Sequence, residues 1–117
     1  MGLTAKFDIK QNILIVRLSG EIDHHEADKL REEWQDVFYK NDVKHMVVNL
    51  EQITFMDSSG LGVILGRYKE ALQVGGKMIV CHVPDSIKRL FELSGLFKIV
   101  HVEQTESYAL GALGVAS

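Results

Sequence analysis

The chain is short of the residues that pin or punctuate small folds. It has one cysteine, Cys81, and one proline, Pro84, among 117 residues. A lone cysteine rules out an internal disulfide and fits a reducing cytoplasm. It reads as a small buried hydrophobe and not as a catalytic thiol. No apolar run approaches the ~18 residues of a membrane helix, so no membrane partner is expected. The opening MGLTAKFDIK lacks an apolar signal core, which argues against export. Gly2 alone is slight support for acylation. Positive charge is also scarce, with 13 Lys and Arg against 16 Asp and Glu and a net charge of −3. Without a basic stripe, direct DNA binding is not expected. Low-complexity tracts, internal repeats and linkers are missing too. What remains is an ordinary globular balance, 46% apolar and 25% charged. One domain over residues 1–117 can bury roughly two thirds of its unfolded surface.

Periodicity sets the order of elements. Residues 4–9 alternate, with Phe7 and Ile9 on one side, as in an edge strand. Gln11-Asn12 turns the chain into residues 13–18 (ILIVRL), apolar on both faces like a strand covered on both sides. The two make an opening hairpin. Residues 20–23 form a loop, and Asp23 is a natural cap for a helix from His24 to about Lys40. Its inner stripe is Ala27, Leu30, Trp34, Val37 and Phe38. Residues 45–50 form a buried strand that Glu51-Gln52 interrupts before Ile53 to Met56 leads to Ser58. A second helix runs from Ser58 to about Val74, with Leu61, Ile64, Leu65, Tyr68 and Leu72 as its stripe and Gly75-Gly76 as its stop. Residues 77–83 are a strand. Pro84 and Asp85 open a short helix that buries Ile87, Leu90, Phe91 and Leu93 and ends at Gly95. Residues 97–102 are a last strand, and Thr105 caps a final helix carrying Tyr108, Leu110 and Leu113. The order β-β-α-β-α-β-α-β-α implies an α/β domain with a mixed, mostly parallel sheet of about five strands and about four helices. Sites in such sheets gather at the carboxyl ends of strands. Loops 20–24 and 56–60 both lie there and should be neighbours.

The richest stretch is FMDSSGLGVILGRYK at 55–69. A helix start offers unpaired N–H groups and the positive end of the peptide dipoles. A serine there can cap, act as a nucleophile or accept a phosphate. Capping is the plain reading of Asp57-Ser58-Ser59-Gly60, but one cap residue suffices and three stand in a row. Gly60 and Gly62 each cost up to ~1 kcal/mol of helix propensity. They gain a use where another backbone or a bulky partner comes close. Gly66 follows, leaving a shallow strip bordered by Leu61 and Arg67. A hydrolase elbow needs glycine two places before the serine, where Met56 stands. His24, His25, His45, His82 and His101 are not tied by sequence to a serine. No P-loop occurs, and Leu65 occupies the place of the third Rossmann glycine. No cofactor is implied. His24-His25-Glu26 reads as a solvated helix start and not as a metal site. If the two loops abut, Glu21 and Asp23 add negative charge beside the serines, which suits contact with a basic partner.

Together with GEIDHH at 20–25, RLFELSGLFKI at 89–99 and LGVAS at 113–117, the 55–69 run closely resembles the anti-sigma factor antagonists, whose domain is called STAS. The resemblance covers essentially the whole chain, and the supporting stretches point to the sporulation branch. It implies a partner switch without catalysis of its own. An anti-sigma factor that is also an ATP-dependent serine kinase would phosphorylate the first serine of the motif, Ser58. The unphosphorylated chain would bind that kinase and release its sigma factor, and a serine phosphatase would reset the cycle. The resemblance implies a contact surface around Glu21, Asp23, His24, Asp57, Ser58, Ser59, Gly60, Leu61, Gly62 and Arg67. A monomer engaging a dimeric kinase is the family expectation. The alternatives are a STAS switch of a stress-response sigma circuit and a small enzyme using Ser58 directly. Phosphate on Ser58 should be received by local N–H groups with little refolding.

Overall fold

A computed structural model describes residues 2–116; Met1, and the Ser117 that closes the LGVAS run, lie outside the described residues. Strands β1 (Leu3–Lys10) and β2 (Ile13–Ile22) are followed by helix α1 (Ala27–Lys40), strand β3 (His45–Met56) and helix α2 (Ser58–Gln73). Strand β4 (Met78–Cys81), helix α3 (Asp85–Ser94), a 3-10 turn (Leu96–Lys98), strand β5 (His101–Glu103) and helix α4 (Glu106–Ala112) complete the chain. The five strands lie in the order β1-β2-β3-β4-β5. Only the β1–β2 pair is antiparallel; the other three pairs are parallel. The mixed sheet and the element order agree with the sequence pattern.

Strand β2 is covered on both faces, as its unbroken apolar run requires. Leu14, Val16 and Leu18 join the main core with Trp34, Met46, Val48, Ile64 and Phe91 beneath α1, α2 and α3. Ile13 and Ile15 join Val47, Ile79, Cys81, Ala109 and Leu110 beneath α4. Trp34 is fully buried, which places the α1 stripe as the sequence implied. Burial pushes the Cys81 thiol up to about 12, so it is an inert core group.

Four details differ from the sequence pattern. Strand β3 does not break at Glu51-Gln52. Arg17 pairs with Asn49 and Ser19 with Gln52, so two β3 residues face one of β2 in a bulge, and the strand continues to Met56. Strand β2 likewise runs on to Ile22 through what looked like loop. The last strand is only His101–Glu103, because Gly95 at φ 77° turns the chain into the 3-10 segment where a strand from 97 was expected. Leu72, Leu93 and Tyr108 lie outside the core at 50%, 75% and 62% exposure.

Helix α4 is held to the sheet by a polar latch. Arg17 donates from Nε to Glu106 Oε2 at 2.9 Å and from Nη2 to Oε1 at 2.7 Å, and Asn49 Nδ2 donates to Oε2 at 2.9 Å. The Arg17 hydrogen bonds outweigh desolvation and, with Asn49, hold the Glu106 carboxyl below the usual carboxylate range. A lowered folded-state pKa means that the ionised acid stabilises the fold above its unfolded value of about 4.3 and that this share fades as pH falls through the folded value. Glu106→Gln should therefore lower stability by about 1 kcal/mol at pH 7, after allowance for the half-exposed Arg17. Urea unfolding at falling pH should show the gap between the two proteins closing below about pH 4. A gap that stays constant down to pH 2 would contradict the latch. Cys81 should in turn react with a thiol reagent only as fast as the protein opens, a rate that rises with denaturant.

Candidate functional site

The site is built by register. Glu21 lies opposite Phe55 and Ile22 opposite Met56, so the carboxyl ends of β2 and β3 finish side by side. The Asp57 N–H then donates to the Ile22 carbonyl at 3.3 Å. The loops expected to be neighbours are therefore joined by the sheet itself, at the strand ends where sites of such folds collect.

Asp57 carries the start of α2. It sits in extended backbone, and its Oδ1 accepts the Ser59 N–H at 2.8 Å. Its carbonyl accepts from Gly60 at 3.1 Å and Leu61 at 3.4 Å. In this unmodified form the Asp57 carboxylate holds the Ser59 N–H, and its carbonyl starts the ordinary helical ladder at Gly60 and Leu61. Ser58 is exposed and Ser59 half-buried, with its N–H committed to the cap. The first of the two serines is the one presented to solvent.

The glycines have separate roles. A Cβ on Gly60 would lie 2.5 Å from Met56 Cγ and 3.1 Å from Ile22 Cγ2, so Gly60 is buried and serves internal closeness between α2 and the strand ends. Gly62 and Gly66 would place a Cβ in open space. Gly62 is exposed, and Leu61 beside it is half-buried against the core. The shallow strip is therefore real at Gly62 and Gly66 and is closed at Gly60. Arg67 does not border it. Its side chain is buried and bonds Glu70, which also accepts from Tyr39 at 2.6 Å and Gln35 at 2.8 Å. Burial pushes the Glu70 carboxyl up, but these three hydrogen bonds outweigh it and hold the group below its usual range. Arg67 thus ties α2 to α1 and presents no free charge to a visitor.

The acidic rim comes from β2 and the turn after it. Asp23 Oδ1 accepts the His25 and Glu26 N–H groups at 3.0 and 3.1 Å. Asp23 thus caps a turn, and α1 proper starts at Ala27, three residues after the expected His24. His24 Nδ1 stands 4.0 Å from Asp57 Oδ2 and links the two loops through side chains. The His24 and His25 rings stack at 3.9 Å. Among the described residues no three His, Cys, Asp or Glu side chains gather as a metal site, and no hydrogen bond joins Ser58 to a histidine.

Sequence reasoning missed Phe55. Alternation would bury it with Ile53, but the bulge at Thr54 flips it outward and leaves it 47% exposed beside Glu21. Its place inside the 55–69 run was the only available signal. Gly60→Ala should lower stability by about 1–3 kcal/mol through overpacking. Gly62→Ala should raise it by about 0.5–1 kcal/mol, since only helix propensity changes. Chemical denaturation of both variants checks this, and equal losses would show that the two glycines share one structural role.

Residues 4–109 match the STAS domain family. A protein of Paenibacillus polymyxa called anti-sigma F factor antagonist is 46% identical over 117 residues, the full length of both chains. Among solved structures, the anti-sigma factor antagonist SpoIIAA in its unphosphorylated form aligns with a TM-score of 0.82 at 27% identity, over 97% of this chain and 100% of that one. The Bacillus cell fate determinant SpoIIAA in the phosphorylated form aligns with a TM-score of 0.74 at 29% identity, over 94% and 99%.

Proposed function

The chain belongs to the STAS-domain anti-sigma factor antagonists, and from that membership we propose that it is a phosphorylation-controlled partner switch of a sporulation circuit in the cytoplasm. In its unmodified form it binds an anti-sigma factor that is also an ATP-dependent serine kinase, and so releases the sigma factor. Phosphorylation of Ser58 ends that binding, and a serine phosphatase restores it. The chain acts as substrate and switch, without a catalytic group of its own and without direct DNA contact. The observation that carries the reading is the exposure of Ser58 at the first residue of a helix whose start is fixed by Asp57, with Ser59 half-buried and its N–H held by the cap. Further support comes from SpoIIAA, a relative known in both unphosphorylated and phosphorylated forms.

The proposed contact surface is Glu21, Asp23, His24, Asp57, Ser58, Ser59, Leu61 and Gly62, with Gly60 shaping it from beneath. A phosphate adds about −1.5 to −2 charges. Here it would enter a rim already holding three carboxylates, with the Ser59 N–H engaged by the Asp57 carboxylate. Like charge and bulk at the centre of the surface then weaken binding, while the cap keeps the backbone in place. A loss of ~3–4 kcal/mol would weaken association several hundred-fold.

Ser58→Ala should bind the anti-sigma kinase as the parent does and resist modification. Ser58→Asp should bind at least tenfold more weakly. Calorimetric titration of each variant, with phosphopeptide mapping after incubation with kinase and ATP, checks both points. Parent-like binding by Ser58→Asp would remove charge as the operative force, and phosphate found on Ser59 would reassign the site.

A further inference from the structure

Strand β4 ends early. It pairs with Met46–Asn49 of β3, whereas β3 continues to Met56. From Gln52 to Met56, β3 is paired with β2 on one side and, among the described residues, has no strand neighbour on the other. Helix α3 runs past that open edge and leaves a groove of about 310 Å³, lined by Thr54, Phe55, Ile87, Arg89, Leu90 and Leu93 among others. Phe55 and Leu93 are 47% and 75% exposed on its walls. Lys88 is taken up by Asp85 at 3.4 Å, but Arg89 has no carboxylate partner among the described residues.

We propose that this groove receives an extended segment of the same anti-sigma partner, which adds as a strand along β3 and sets a bulky apolar side chain, followed by a carboxylate, between Phe55 and Leu93. The open strand edge supplies main-chain partners for an extended backbone, a recurrent mode of peptide recognition. An edge of ~17 Å suits a segment of about five residues, whose alternate side chains point into the groove. The cavity holds one large apolar side chain, and Arg89 at its wall selects the acid. The partner is favoured over a second copy by continuity. Phe55 is three residues before Ser58 and lies opposite Glu21 of the acidic rim, so one visitor can cover both. Such a contact adjoins the phosphate site and adds to the hold that the unmodified rim provides. The proposal rests on the partner-switch reading.

The test is titration of the anti-sigma partner with the parent chain, Ser58→Asp, Leu93→Asp, Arg89→Glu and, as a control, Leu72→Asp. Residues 93, 89 and 72 are exposed, so circular dichroism should show all three variants folded. Leu93→Asp and Arg89→Glu should each bind at least tenfold more weakly, with Leu72→Asp within twofold of the parent. Amide exchange over Gln52–Met56 should slow in the complex. If Ser58→Asp loses binding while Leu93→Asp and Arg89→Glu stay within twofold of the parent, the groove proposal is overturned and the switch stands. A parent chain that does not bind overturns both. Unchanged exchange at Gln52–Met56 overturns strand addition. A parent that self-associates through Leu93 in sedimentation overturns the choice of occupant.

Discussion

The parallel pairing of the last residues of β2 and β3, continued by the Asp57 N–H bond to the Ile22 carbonyl, is the constraint on which the site depends. It fixes where Asp57 stands. Asp57 then fixes where α2 begins, because its carboxylate and its carbonyl together engage three of the first donors of the helix. Ser58 follows as the residue left facing solvent. Gly60 is required by the same closeness, since a methyl group there would strike Met56 and Ile22. A hydroxyl is thereby held at a set place by sheet register, a cap and a buried contact.

This arrangement favours electrostatic control over refolding. The rim made by Glu21, Asp23 and Asp57 is negative before any modification, and the His24 side chain stands beside it, 4.0 Å from Asp57. Adding a dianion to such a rim changes the charge a visitor meets by more than its size suggests. The latch of Arg17 and Asn49 on Glu106 and the buried Arg67–Glu70 pair lie elsewhere in the fold. They tie α4 to the sheet and α2 to α1 at a distance from the helix start. A rigid scaffold with a chargeable tip suffices for a switch read by another protein.

Much of this was legible in the sequence. The shift from alternating to helical spacing gave every helix and four strands their places, and the position of two loops after strand ends placed the acidic residues beside the serines. The misses share physical causes. Bulges cannot be seen in a pattern, so Glu51-Gln52 looked like a break and the outward turn of Phe55 went unread. Gly95 was recognised as a helix stop, but the 3-10 turn after it follows from packing of Leu96 and Phe97, which are as apolar as a strand would be. Arg67 read as a surface charge because its partner is Glu70 one turn on, and burial of that pair is a tertiary fact. Gly60 and Gly62 look alike in sequence and differ only in what stands beside them.

The most direct measurement compares backbone amide spectra of the uniformly labelled chain before and after stoichiometric phosphorylation. Local charge on a pre-built site predicts shifts confined to about residues 20–26 and 55–62, with the rest of α2 and the sheet unmoved. Shifts spreading along residues 63–75 or across β1 would mean that modification rebuilds the helix, and the charge-controlled switch would be wrong.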